Sequence, residues 1–116
     1  MNLIAKQVKK RMSFEFNHEI GEKKGCKIKV YALSTCGFCK RALAFLRDNS
    51  VDFEYVYVDK LDRETKDAVT KKLKERFDRR VAFPFLIIDD EECRVGFNTE
   101  KYENLLDIME SHKHEV

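Results

Sequence analysis

Apolar positions along the chain change period several times, and each change marks an element. Ile28, Val30, Ala32 and Leu33 read as a short, mostly buried strand. Ser34 and Thr35 follow it, residue types that cap a helix. Over residues 36–49, Ala42, Leu43, Phe45 and Leu46 return at helical spacing. Phe53, Tyr55, Val56, Tyr57 and Val58 predict a second strand. Residues 62–77 predict a highly charged helix whose buried stripe is Ala68, Val69, Leu73 and Phe77. Residues 83–88 predict a third strand, Asp89-Asp90-Glu91-Glu92 a turn, and residues 93–97 a fourth, short strand. Thr99 is placed to cap a last helix carrying Tyr102, Leu105, Leu106 and Met109.

The N-terminal stretch follows a different pattern. Leu3, Ile4, Val8 and Met12 are loosely helical in spacing, and Phe14, Phe16 and Ile20 alternate with polar residues as in a half-buried strand, until Gly21 and Gly25 break the pattern. Residues 1–25 are therefore expected to be an extension adding a strand or helix to a domain of residues 26–116. Met12 offers an alternative start, which would leave residues 1–11 disordered.

The domain order is β-α-β-α-β-β-α. A helix joins the first two strands, so a right-handed parallel crossover is expected. A tight acidic turn joins the last two, so they should form an antiparallel hairpin. The expected class is α/β: a mixed four-stranded sheet with helices on both faces, which is the thioredoxin-like arrangement.

Composition narrows the function. With 116 residues there is room for one hydrophobic core. Lys and Arg number 23 against 21 Asp and Glu, a net charge of +2 that excludes a general nucleic-acid binder. The balance conceals a gradient: residues 1–27 and 60–80 are each net +4, while residues 84–116 are net −6. Solvated helix faces and a charge-guided partner surface both account for it. No apolar run is long enough to span a bilayer, and the first residues lack the apolar stretch of a secretory signal, so a cytoplasmic protein is expected. Four Cys are too few for a disulfide-stapled miniature fold and point to redox or metal chemistry instead.

Cys36-Gly37-Phe38-Cys39 lies where a strand gives way to a helix, the context of a redox CxxC. The helix N-terminus favours negative charge, and cysteines so placed have pKa values lowered into the range of about 3.5–7.5. Cys36 is the candidate nucleophile. Cys39, nearly a turn later and more buried, is the candidate resolving thiol that attacks a mixed disulfide. Lys40 and Arg41 could add positive potential or simply face solvent. Two other readings of the motif are a pair of inert core thiols and half of a zinc site. The zinc site would need Cys26, Cys93 or one of His18, His112 and His114. The single proline, Pro84, stands at a strand start, where the lack of an N–H is tolerated and where both a trans and a cis bond occur. Cys26 and Cys93 could be filler, a regulatory thiol or a pair.

Residues 28–109 resemble a glutaredoxin. The resemblance rests on Ile28-Lys29-Val30-Tyr31, Ser34-Thr35-Cys36-Gly37-Phe38-Cys39, Phe83-Pro84-Phe85-Leu86-Ile87 and Val95-Gly96-Phe97. The family motif is commonly Cys-Pro-Tyr-Cys or, in monothiol members, Cys-Gly-Phe-Ser; this chain joins the interior of the second to the two cysteines of the first. The resemblance implies a thioredoxin fold and dithiol thiol–disulfide exchange, with Pro84 a cis-proline facing Cys36. It further implies that Phe83 offers its backbone to an extended substrate or to glutathione. Thr35, Gly37, Phe38, Phe83, Pro84, Gly96, Phe97 and Asn98 become the implied substrate- or thiol-binding residues. The chain departs from the family at three places. The usual Lys three residues before the first Cys is Leu33, Thr-Val-Pro is Ala82-Phe83-Pro84, and the Gly-Gly-polar-Asp segment is Gly96-Phe97-Asn98-Thr99. A leucine cannot pair with a glutathione carboxylate. Gly96-Phe97 is instead similar to the Ser-Gly-Phe segment of the glutaredoxin-like electron donors of ribonucleotide reductase, which thioredoxin reductase reduces. The implied reductant is accordingly a thioredoxin-reductase-like flavoprotein or a low-molecular-weight thiol, glutathione or another. No organic cofactor beyond the redox-active disulfide is required. Substrates would be protein or small-molecule disulfides, with no nucleic acid or membrane involved and a monomer expected. The alternative is a metal module: a zinc site, or a [2Fe–2S] cluster bridged between two subunits.

Overall fold

Five strands, not four, make the sheet, because the extension supplies one at its edge. The computed structural model describes residues 14–115, with side chains to residue 111. The helical spacing at Leu3, Ile4, Val8 and Met12, and the alternative start at Met12, lie outside the described residues. In chain order the elements are β1 (Asn17–Glu19), β2 (Ile28–Ala32), α1 (Gly37–Asp48), β3 (Phe53–Tyr57), a 3-10 turn (Val58–Lys60), α2 (Arg63–Phe77), β4 (Phe85–Ile88), β5 (Glu92–Val95) and α3 (Thr99–Glu115). Their order across the sheet is β1-β3-β2-β4-β5. β2 and β3 are parallel and the other three pairings antiparallel, which bears out the parallel pairing across the first helix and the antiparallel hairpin.

The two faces of the sheet carry separate cores. On one, Ile28, Val30, Leu86 and Ile88 pack with Cys39, Ala42, Leu43 and Leu46 of α1 and with Tyr102, Leu105 and Met109 of α3. On the other, Tyr31, Val56, Phe85 and Ile87 pack with Leu73 of α2, and Phe14 and Phe16 lean on this cluster. The alternation along β2 and β4 follows from the two-residue side-chain period of a strand. α2 contributes one fully buried residue because its helical stripe is narrow: Val69 and Phe77 are half-buried, and Ala68 is exposed rather than part of the stripe.

Several boundaries depart from the sequence expectation. The alternation of Phe14, Phe16 and Ile20 predicts a longer strand than β1, and Ile20 ends 82% exposed. Asp52 explains where the chain turns: one carboxylate oxygen accepts from the Gly21 N–H at 3.1 Å and the other lies 3.0 Å from His18 Nε2. Val58 leaves the sheet for the 3-10 turn. β4 starts at Phe85, after Pro84, and β5 runs from Glu92 rather than Cys93. The three-residue loop between Ile88 and Glu92 places both Asp89 and Asp90 at positive φ, 51° and 61°, a left-handed region that Asp visits more readily than most residues. Thr99 is the first residue of α3, and the cap is Asn98, whose Oδ1 accepts from the Lys101 N–H at 3.1 Å.

Candidate active site

Four strand ends converge on the candidate site. Ala32 at the end of β2 is level with Tyr57 at the end of β3. Tyr31 is level with Phe85 across the antiparallel β2–β4 pair, and Phe85 with Val95 across β4–β5. One step further along each strand, the register brings Pro84 and Gly96 to the edge from which residues 33–36 leave the sheet. The Gly96 N–H donates to the Pro84 carbonyl at 2.8 Å, fixing this alignment. Gly96 has φ +81°, a conformation that costs other residue types roughly 1–2 kcal/mol.

Cys36 is itself the N-cap of α1. Its backbone is extended, and its Sγ accepts from the Cys39 N–H at 3.2 Å, taking the place that Ser34 or Thr35 was expected to hold. The sulfur thereby meets one of the four N–H groups that a helix start leaves without partners. Cys36 is half-buried, while Cys39 is completely buried among Ala42, Leu43 and Tyr102. Both are free thiols. Burial pushes the Cys39 thiol well above its ordinary range. The hydrogen bond with Cys36 and the charge of Asp59 act in the same direction, and the Leu33 N–H, 3.4 Å from Cys39 Sγ, acts against them.

The remaining predicted residues surround this pair unequally. Thr35 and Gly37 are exposed on either side of Cys36. Phe38 is 57% exposed, with the Arg41 guanidinium 5.5 Å from its ring centroid. The Phe83–Pro84 peptide is cis, Pro84 is buried, and Phe83 packs partly against both cores. Phe97 turns inward, its ring 4.9 Å from Tyr102 and 6.1 Å from Phe45. The Asn98 side chain is engaged in capping α3.

Cys26 and Cys93 belong to opposite faces of the sheet, Cys26 in the α1–α3 core and Cys93 against the α2 core, so they do not pair. Burial, with the carboxylates of Asp89 and Glu92, raises the Cys26 thiol to about 11. Among the described residues no three His, Cys, Asp or Glu side chains are grouped to hold a metal, so the ligands that a zinc site would need are not gathered there. No described helix is long and apolar enough to cross a membrane.

Asp59 was not singled out by the sequence, and Ser34 only as a capping residue type and as part of the motif. The Ser34 N–H donates to Asp59 Oδ1 at 2.9 Å and its hydroxyl to Oδ2 at 2.5 Å. The parallel register was the available signal, since it sets the residues after β3 beside those after β2.

Comparison with known proteins places this arrangement. The glutaredoxin family profile matches residues 28–93. A Synechocystis protein described as a probable glutaredoxin is 37% identical over 65 residues, covering 56% of this chain and 68% of the relative. The crystal structure of the glutaredoxin from Methanosarcina mazei Go1 superposes with a TM-score of 0.68 at 38% identity, over 80% of this chain and 88% of that one. Methanosarcina acetivorans methanoredoxin gives 0.62 at 44% identity, over 67% of this chain and 81% of its own.

Proposed function

The chain belongs to the glutaredoxin family of thiol–disulfide oxidoreductases, and from that premise we propose a dithiol mechanism with Cys36 as nucleophile and Cys39 as resolving thiol. One observation carries the assignment of roles: the two sulfurs are unequal. Cys36 caps α1 at the half-open edge of the sheet, while Cys39, one turn on, is fully buried and donates its N–H to the Cys36 sulfur. An incoming disulfide can meet the first sulfur and not the second.

Cys36 attacks one sulfur of the substrate disulfide, forming a mixed disulfide and releasing the other sulfur as a thiolate that takes up a proton. Cys39 then gives up its proton and attacks Cys36, closing a Cys36–Cys39 disulfide and freeing the reduced substrate. Thr35, Gly37, Phe38, Phe83, Pro84 and Gly96 flank the path to Cys36, and the Phe83 backbone pairs with an extended substrate. A thioredoxin-reductase-like flavoprotein or a low-molecular-weight thiol returns the two electrons. Leu33 is half-buried between the two cores, and Asn98 caps a helix. Leu33 has no charged group to offer a glutathione carboxylate, which supports a donor other than glutathione. The protein works in the cytoplasm.

The test is a pair of variants assayed on a small model disulfide. Cys36→Ser should abolish reduction, and Cys39→Ser should accumulate a one-to-one mixed disulfide visible by intact mass. Wild-type turnover by Cys36→Ser would refute the assignment. Rapid reduction of the oxidised protein by glutathione, with none by a thioredoxin reductase, would refute the choice of donor.

A further inference from the structure

The peptide between Leu33 and Ser34 is held from both sides. Its N–H, belonging to Ser34, donates to Asp59 Oδ1 at 2.9 Å. Its carbonyl, belonging to Leu33, accepts from the Cys36 N–H at 3.3 Å. A peptide unit is planar, so anchoring one end sets the direction of the other. The Ser34 hydroxyl adds a second bond to the same carboxylate at 2.5 Å. One residue earlier, the Leu33 N–H donates to Cys39 Sγ at 3.4 Å. Asp59 comes from the 3-10 turn after β3, and Tyr57 and Ala32 are partners at the ends of β3 and β2. One exposed carboxylate therefore fastens the short segment whose backbone touches both cysteines.

We propose that Asp59 is a positioning residue for the resolving step, holding Ser34 so that the Leu33 N–H stays on the Cys39 sulfur while that sulfur attacks the mixed disulfide. The proposal rests on the dithiol reading above. In that step the Cys39 S–H proton goes to solvent. The Cys39–Cys36 bond forms and the bond from Cys36 to the substrate sulfur breaks. The substrate sulfur leaves with the electron pair and takes up a proton. Over the attack and resolving steps together, the cysteine pair is oxidised by two electrons and the substrate disulfide is reduced by the same two.

A buried thiol resists ionisation because the low-dielectric interior disfavours its charged form, and a backbone N–H on the sulfur offsets part of that cost. Asp59 acts on Cys39 in two opposite ways. Its charge disfavours the thiolate through space. Its grip on Ser34 favours the thiolate by keeping the Leu33 N–H in place. The other titratable groups near Cys39 are Cys36, at the N-cap of its own helix, and Tyr102, across the core on α3. Neither changes in the variants below.

Asp59→Asn removes the charge and keeps a carbonyl oxygen for Ser34, whereas Asp59→Ala removes both. The two steps are timed separately by acid quench and intact mass. Attack on a small disulfide is followed in a Cys39→Ser background, and resolution in protein that retains Cys39. Asp59→Ala should slow resolution about tenfold, the scale of losing a charge-assisted hydrogen bond, and change the attack step less than about twofold. Asp59→Asn should recover most of the resolving rate, and the pH midpoint of resolution should lie higher in Asp59→Ala than in Asp59→Asn. Resolution at the wild-type rate in Asp59→Ala overturns the proposal. So does an equal fall in both steps, which marks a merely structural role. If Asp59→Ala does not fold, Ser34→Ala carries the test: selective slowing of resolution, about twofold, supports the latch, and an unchanged rate overturns it. If Cys39→Ser forms no mixed disulfide at all, the dithiol reading itself fails and the proposal falls with it.

Discussion

Tyr102→Phe should make the protein more stable. Tyr102 is fully buried on α3, and among the described residues its hydroxyl has no hydrogen-bond partner. Its ring, in contrast, is well placed, edge-on to Phe45 at 5.8 Å and to Phe97 at 4.9 Å between centroids. Phenylalanine keeps both ring contacts and removes only the oxygen. A buried polar group left without a partner costs about 1–3 kcal/mol. The void left by the oxygen, about 10 Å³, returns only about 0.2–0.3 kcal/mol at roughly 24 cal/mol per Å³. The balance is a gain of about 1–2 kcal/mol, or a rise in Tm of at least about 4 °C for a domain near this size. Burial, with the neighbouring Cys39, also raises the Tyr102 hydroxyl far above neutrality, so the gain should be the same at pH 6 and pH 8. Urea unfolding under reducing conditions measures it, with an unchanged m-value as the check that only stability moved. A loss of about 1 kcal/mol or more in Tyr102→Phe would refute the reasoning, because it would mean the hydroxyl is hydrogen-bonded in solution.

The attachment of the extension should depend on acid. Burial tends to raise the Asp52 carboxyl, but the hydrogen bond with His18 and the N–H of Gly21 outweigh it and hold it below its ordinary value. A lowered carboxyl contributes stability that is complete above its unfolded value and lost as pH falls through the folded one. Asp52→Asn should therefore shrink the difference in urea midpoint between pH 7 and pH 3, and an undiminished difference would show that Asp52 does not contribute. Thiol labelling offers a second check. Cys26, raised to about 11 by burial and by Asp89 and Glu92, and the fully buried Cys39 should resist iodoacetamide at pH 8 in the native protein. The half-buried Cys36 should be modified first, as read by peptide mass mapping, and early modification of Cys26 would contradict its place in the core.

The elements legible in the sequence were those whose apolar period was set by burial. β2, β4 and α1 each face a core, so Ile28, Val30, Ala42, Leu43 and Leu46 declared their elements by spacing alone. β1 was harder, because a three-residue edge strand of Asn17, His18 and Glu19 has no buried residue to give it a period. Its place is set instead by pairing with β3 and by the Asp52 side chain, contacts between residues 31 or more positions apart that no local pattern contains. The motif Cys36–Cys39 was visible because its chemistry needs that spacing. The identity of the cap was not. Ser34 and Thr35 are better capping residues than cysteine by propensity, but Asp59 takes the Ser34 hydroxyl and N–H, leaving Thr35 exposed and the capping place to the sulfur.

That substitution has a consequence for how the site works. Had Ser34 or Thr35 capped α1, the first N–H groups of the helix would have been spent on an oxygen, and Cys36 would lie inside the first turn. With Ser34 drawn away to Asp59, the helix begins one residue after Cys36, and the Cys39 N–H falls on the Cys36 sulfur. The same displacement turns the Leu33 N–H toward Cys39. Each sulfur thus receives a backbone donor, and both donors depend on where the chain leaves β2. The sheet register, rather than any single side chain, sets that point. β3 brings Asp59 to it, and β4 and β5 bring Pro84 and Gly96 to the same edge. The surroundings of both sulfurs are therefore set by segments beyond the Cys36–Cys39 motif, and Asp59, on the 3-10 turn after β3, is the residue there that the charge-removing and bond-removing variants can test.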